Sequence, residues 1–153
     1  MAFGAKSRPP PSLKARAIAL LARRDYARLE LSDKLRATGA PREEVDALLD
    51  EITALGYLSD ERFAHAVVRQ KSGGYSKRAI AQTLKAKGVT GDAATQAIEG
   101  AEQDDDATMV ALWRRRFGSP PANDREKARQ VRFLQSRGFG LSAIFKLLRN
   151  PPA

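Results

Sequence analysis

The chain repeats itself at a period of about fifty residues. Residues 35–39 (LRATG) recur as residues 84–88 (LKAKG) and again as residues 134–138 (LQSRG), so that their final glycines are 49 and then 50 positions apart. Tyr26 and Tyr75 are also 49 positions apart. Self-similarity at a fixed period is typical of stacked supersecondary units, each of which is too small to bury a full core alone. It favours an elongated, curved array with extended binding surfaces over a globule built around a pocket.

Capping residues and apolar periodicity predict three helices in each period. In the first, Ser12 caps the opening helix, Gly39 ends the middle helix as a left-handed C-cap, and Pro41 begins the third. No segment alternates apolar and polar residues as a half-buried strand does. The sequence therefore predicts an all-α fold of three tandem three-helix repeats. The predicted boundaries are residues 1–11 for a flexible proline-rich tail and residues 12–58, 59–103 and 104–150 for the three repeats.

The net charge of +9 is distributed unevenly along the chain. Residues 12–58 hold eight basic and eight acidic residues, whereas residues 59–101 hold seven basic and four acidic ones. Residues 107–153 hold ten basic and two acidic residues, and so carry most of the excess positive charge. A polarised surface of this kind is suited to an anionic polymer or an acidic partner.

The sequence offers little for catalysis. It has no cysteine, and its one histidine, His65, has no partner at the spacing of a catalytic triad or a metal site. Gly73 and Gly74 lack the spacing of a phosphate-binding loop. The aspartates at 104–106 could recruit a divalent cation or complement the positive N-terminal end of a helix. We therefore expect no enzymatic activity, no cofactor and no resident metal.

Nothing in the sequence indicates a membrane or a secretory route. Residues 1–6 lack the apolar run of a signal peptide, and no segment reaches the roughly 18 apolar residues that span a bilayer. We expect a cytoplasmic monomer with no membrane partner.

Clusters of cations are the candidate binding residues. The arginines at 114–116 lie at a predicted helix end, where they either face water and oppose the negative end of the dipole or bind phosphates and carboxylates. Lys77 and Arg78 follow Ser76 at a predicted helix start, where positive charge is unfavourable; they either form an anion site with free amides or are tolerated surface charges. The candidate partner- or DNA-binding residues are Lys77, Arg78, Lys85, Lys87, Arg114, Arg115, Arg116, Arg129, Arg132 and Arg137.

Four separated segments, in the same order, resemble those of bacterial RecX proteins. They are residues 20–31, 55–64, 73–80 and 129–139, and the likeness extends over about residues 13–149. The chain departs from the pattern at Arg125, which stands where the first two repeats have Tyr26 and Tyr75.

The resemblance implies a fold of tandem three-helix repeats and a regulatory function. RecX proteins bind the filament of the RecA recombinase on DNA, lodge in its helical groove and restrain its ATPase and strand-exchange activities in DNA repair and the SOS response. The expected partners are the RecA filament and, further, single- or double-stranded DNA. A different class of function, sequence-nonspecific DNA binding without a protein partner, also fits the charge. Pure phosphate binding would weaken steeply with salt, whereas a mixed protein–DNA groove would keep a salt-insensitive component.

Overall fold

The computed structural model describes residues 9–152, which form nine α-helices and no strand. The predicted all-α fold is therefore confirmed, while residues 1–8 of the predicted tail lie outside the described range. The helices are α1 (Leu13–Arg23), α2 (Arg28–Arg36), α3 (Arg42–Ala54), α4 (Asp60–Lys71), α5 (Lys77–Ala86), α6 (Gly91–Gly100), α7 (Asp105–Arg116), α8 (Asp124–Ser136) and α9 (Leu141–Arg149).

Polar side chains begin several helices as the sequence predicts. The Ser12 and Ser76 hydroxyls accept hydrogen bonds from the third backbone N–H of α1 and α5. The Asp104 carboxylate accepts from the N–H groups of Asp106 and Ala107, so this aspartate caps α7. Pro41 is the N-cap of α3 and not its first helical residue, one position from the expectation. These bonds satisfy donors that have no partner within the helix.

The three periodic glycines follow the middle helix of each repeat with positive φ. The φ angles are 93° at Gly39, 78° at Gly88 and 92° at Gly138, which confirms the predicted left-handed C-caps. In the second repeat the N–H of Val89 donates to the carbonyl of Leu84, a 6→1 bond that closes a Schellman motif. The same bond recurs fifty residues later in the third repeat.

The chain divides into two compact units, one ending at Asp60 and one beginning at Glu61. The first unit holds α1–α3 around an apolar core, whose buried members are Ala17, Tyr26, Leu31, Leu35, Val45, Leu48, Leu49, Ile52 and Leu58. The second unit holds α4–α9. Its last three helices surround a core whose buried members are Met109, Leu112, Trp113, Leu134, Phe139, Ile144 and Leu147.

Hydrogen bonds between the second and third repeats hold the second unit together. The Ser76 N–H donates to the carbonyl of Arg137, and the Ser76 hydroxyl donates to the carbonyl of Gly138, each at 2.8 Å. Within the second repeat, the Gln103 side-chain amide donates to the carbonyl of Tyr75, also at 2.8 Å. Because Ser76 is only 2% exposed, water does not compete for these bonds.

Candidate binding surface

The first unit pairs many of its cations with its own carboxylates. In one pair the guanidinium of Arg24 meets the carboxylate of Glu30 through two hydrogen bonds of 3.0 and 2.9 Å, and this bonding raises the pKa of Arg24 above its ordinary value. The ion pairs are Lys14–Glu51, Arg24–Glu30, Arg28–Asp50 and Arg42–Asp46. Much of the positive charge of this unit is thus paired with carboxylates of the same unit.

Several arginines of the third repeat have no such partner. Arg115, Arg125, Arg129 and Arg132 are exposed, and none of them forms an ion pair with any residue in the range 9–152. Guanidinium groups bind phosphates and carboxylates through paired, fork-like hydrogen bonds. This part of the second unit therefore presents cations that an external anion can satisfy.

Three of these groups follow one face of α8. Arg125, Arg129 and Arg132 stand at the i, i+4 and i+7 positions of the helix, and together with Asn123 and Glu126 they line a shallow pocket of about 380 Å³. The rise of about 1.5 Å per residue places the first and last about 10 Å apart along the axis. The candidate set included Arg129 and Arg132 but missed Arg125, which the helical spacing alone would have added.

A second basic cleft lies between the end of α7 and the end of α8. Arg115, Arg116 and Arg137 line it, and its volume is about 350 Å³. The guanidinium carbons of Arg116 and Arg137 lie 5.3 and 5.2 Å from the ring centroid of Phe133, so one ring orients two cations. Three of the candidate binding residues, from the C-terminal ends of α7 and α8, therefore line the same cleft.

Arg137 is also engaged inside the molecule. Its guanidinium lies 4.8 Å from the ring centroid of Tyr75 and donates to the carbonyl of Gly74 at 3.1 Å. Lys71 lies over the same tyrosine ring at 4.5 Å. Arg137 therefore acts as a clamp between the second and third repeats, in addition to lining the cleft.

Two of the backbone amides at the N-terminus of α5 are already bonded to side chains of the protein. The N–H of Lys77 donates to the carboxylate of Asp105 at 3.1 Å, and the N–H of Ala79 donates to the Ser76 hydroxyl at 3.1 Å. An internal carboxylate, 28 positions along the chain, thus accepts from one of the amides that the predicted anion site would use. The Lys77 side chain is half-buried and that of Arg78 is exposed.

A similar hydrogen bond lies within the first unit, where the carboxylate of Asp60 accepts from the N–H of Arg28 at 2.8 Å. In both cases an aspartate that begins a later helix, Asp60 of α4 or Asp105 of α7, accepts from the first N–H of the helix two places earlier in the chain.

The remaining candidates lie away from the clefts or at their edge. Lys85 and Lys87 are exposed near the C-terminal end of α5, and Lys85 is roughly 12 Å along the helix from Lys77 at the joint. Arg114 is exposed in the last turn of α7. The arginine clefts therefore draw on the third repeat and not on the far end of α5.

Metal sites and membrane spans are not found in the part of the chain that the structure describes. No group of three or more His, Asp or Glu side chains within residues 9–152 could hold a metal ion. No helix in this range is long and apolar enough to cross a bilayer. His65 is exposed on α4.

Comparison with known proteins identifies relatives over most of the chain. A family model described as the second three-helix domain of RecX matches residues 59–98, and one for the third such domain matches residues 103–148. The regulatory protein RecX of Leptothrix cholodnii is 41% identical over 145 residues, which cover 95% of this chain and 92% of the relative. That of Chromobacterium violaceum is 42% identical over 137 residues, with 90% and 89% covered.

A solved structure has a similar fold. The crystal structure of RecX from Lactobacillus salivarius superposes with a TM-score of 0.69 at 19% identity, covering 90% of this chain and 92% of that one. At this identity, the likeness concerns the fold alone.

Proposed function

Because this chain belongs to the RecX family, we propose that it binds the filament of the RecA recombinase on DNA in the cytoplasm. It modulates the filament, chiefly by inhibiting ATP hydrolysis and strand exchange during DNA repair and the SOS response. The observation that supports a binding role for the third repeat is that its exposed Arg115, Arg125, Arg129 and Arg132 form no ion pair within residues 9–152. Successive repeats that touch successive filament subunits would add affinity through effective concentration.

The proposal is tested by measuring DNA-dependent ATP hydrolysis by RecA from the same species, with and without this protein. We expect the hydrolysis rate to fall as the protein is added. Unchanged ATP hydrolysis, together with no binding of the protein to RecA–DNA filaments, would refute the proposal. We further expect the purified protein to hydrolyse neither ATP nor DNA; activity that is abolished by mutation of this chain would show that it is an enzyme.

The arginines of α8 are expected to provide the salt-sensitive part of the binding. Reversing Arg125, Arg129 and Arg132 to glutamate should weaken filament binding about tenfold or more at low salt, with a smaller loss at high salt. The control reverses Arg16, Arg23 and Arg36, which are exposed cations of the first unit with the same total charge. Equal losses in the two triple variants would mean that net charge matters and not this surface.

A second candidate function is sequence-nonspecific DNA binding without a protein partner. Three arginines along one helix, none of them in an ion pair within the described part of the chain, favour it, since phosphate contacts need no base readout. Fluorescence anisotropy on labelled DNA, with RecA absent and then present as a filament, distinguishes the two. Affinity that is the same in both conditions, with a steep salt dependence, would support the second candidate.

A further inference from the structure

The outer face of α9 differs from the equivalent faces of the other two repeats. Leu141 and Phe145, one turn apart, are 45% and 37% exposed. Counted from the periodic glycine, their equivalents are Gly91 and Thr95 in the second repeat, and Arg42 and Asp46 in the first. The first-repeat pair forms an ion pair in solvent. The third repeat thus exposes two large apolar side chains at positions where neither of the other repeats has one, and exposed apolar groups rimmed by polar residues are typical of a contact surface.

One of these two residues, Phe145, lines a pocket with a positive rim. Pro121, Phe145 and Leu148 supply its apolar lining, Lys127 and Arg149 supply cations, and its volume is about 360 Å³. The ammonium nitrogen of Lys127 lies 5.4 Å from the ring centroid of Phe145. No carboxylate lines the pocket.

The first repeat has a carboxylate at a position where this rim has a second cation. Lys127 and Arg149 occupy the positions of Arg28 and Asp50 in the first repeat, where the guanidinium and carboxylate meet at 2.8 Å. In the third repeat an arginine has replaced the carboxylate. The two cations of the rim form no ion pair with any residue in the described part of the chain. Like charges at such a site repel each other, and an external carboxylate relieves that repulsion.

We propose that this pocket binds an acidic peptide segment of the protein partner, with an apolar side chain against Phe145 and Leu148 and a carboxylate between Lys127 and Arg149. The inference rests on the proposed function, since it concerns the partner in the RecA–DNA complex. A carboxylate and an apolar anchor are the chemistry of a protein segment, and the concave pocket suits a side chain. The α9 surface is thus distinct from the arginine face of α8, which suits phosphates.

Two variants, each of which introduces a residue or a charge found at the equivalent position of another repeat, test the proposal. Phe145→Thr introduces the residue of the second repeat, and Arg149→Glu introduces the charge of the first two. Phe145→Thr should weaken binding to RecA–DNA filaments about threefold to tenfold, with a deficit that persists at high salt because it is apolar. Arg149→Glu should weaken binding similarly at low salt while leaving thermal stability equal or higher, since the new carboxylate can pair with Lys127.

Leu29→Thr is the matched control, because Leu29 is 49% exposed in the first unit. It should bind filaments like the unaltered protein, and all three variants should bind RecA-free DNA equally. Filament binding that is unaffected by Phe145→Thr and Arg149→Glu would overturn the inference, as would an equal loss in Leu29→Thr. If the unaltered protein does not bind filaments at all, the proposed function itself fails.

Two other occupants of the pocket would give different results. If a second copy of this chain filled it, Phe145→Thr would shift the sedimentation of the free protein from dimer to monomer. If a lipid surface filled it, the unaltered protein would co-sediment with phosphatidylserine vesicles and Phe145→Thr would not. Either result, with filament binding intact, would overturn the assignment to an acidic peptide.

Discussion

Replacing Gly138 with alanine should destabilise the second unit considerably more than the same change at Gly39 destabilises the first. Both glycines have φ near +90°, and a side chain in the left-handed region costs about 1–2 kcal/mol. The surroundings differ, because a Cβ at Gly39 would meet no atom within 4 Å. At Gly138 it would stand 2.3 Å from the Ser76 hydroxyl oxygen and 2.5 Å from the Ala79 Cβ.

The additional destabilisation at Gly138 has two sources. Forcing an extra carbon into a packed contact costs about 1–3 kcal/mol. Moving the chains apart also weakens the bond of 2.8 Å from the Ser76 hydroxyl to the Gly138 carbonyl, worth about 1 kcal/mol. We therefore expect Gly138→Ala to lower the free energy of unfolding by about 3–5 kcal/mol, and Gly39→Ala by about 1–2 kcal/mol.

Urea denaturation measures both changes. The fluorescence of Trp113, which is 2% exposed and is the one tryptophan of the chain, reports the unfolding of the second unit. Far-UV circular dichroism follows both units. Ser76→Gly in the Gly138→Ala background removes the hydroxyl that the new Cβ meets, so the double variant should be less destabilised than the sum of the two single changes. Strict additivity, or equal losses at Gly138 and Gly39, would refute the steric argument.

Three further changes test contacts within the second unit. Gln130→Leu should destabilise this unit by about 1–3 kcal/mol, because the buried indole N–H of Trp113 loses the hydrogen bond of 2.9 Å that it donates to Gln130. It should also alter the fluorescence of folded Trp113, and an unchanged urea midpoint would contradict the argument. Asp105→Ala should cost about 1–2 kcal/mol in urea denaturation, because it leaves the N–H of Lys77 without its carboxylate. Arg137→Lys should lower the melting temperature despite keeping the charge, because an ammonium group does not reproduce the stacking of a planar guanidinium on two rings.

The second unit differs from the first in how its positive charge is used. The first unit neutralises cations such as Arg28 with carboxylates such as Asp50. At the equivalent positions the third repeat has Lys127 and Arg149, and further along α8 it exposes arginines. The three repeats thus share one architecture. The first contains internal ion pairs, whereas the third has an exposed cationic surface. This difference is expected if the apolar core stabilises the third repeat and its surface cations serve to bind a partner.

The sequence by itself determined the local structure. The caps at Ser12 and Ser76 and the glycine that ends each middle helix were predicted and confirmed. These features depend on φ/ψ preferences and on hydrogen bonds between residues a few positions apart. Apolar positions at helical spacing likewise predicted the all-α fold, and the repeat period predicted its stacked units.

The tertiary structure decided which charged groups are available and which are already used. Asp105 accepts from one backbone N–H at the helix terminus where the sequence predicted an anion site, and Arg137 makes a hydrogen bond and a ring contact to the second repeat. Phe145 could not be distinguished from a core residue by helical spacing, and only its place on the uncovered side of α9 shows that it is exposed. Each of these outcomes depends on atoms that are distant in sequence, whose proximity arises only when the helices pack.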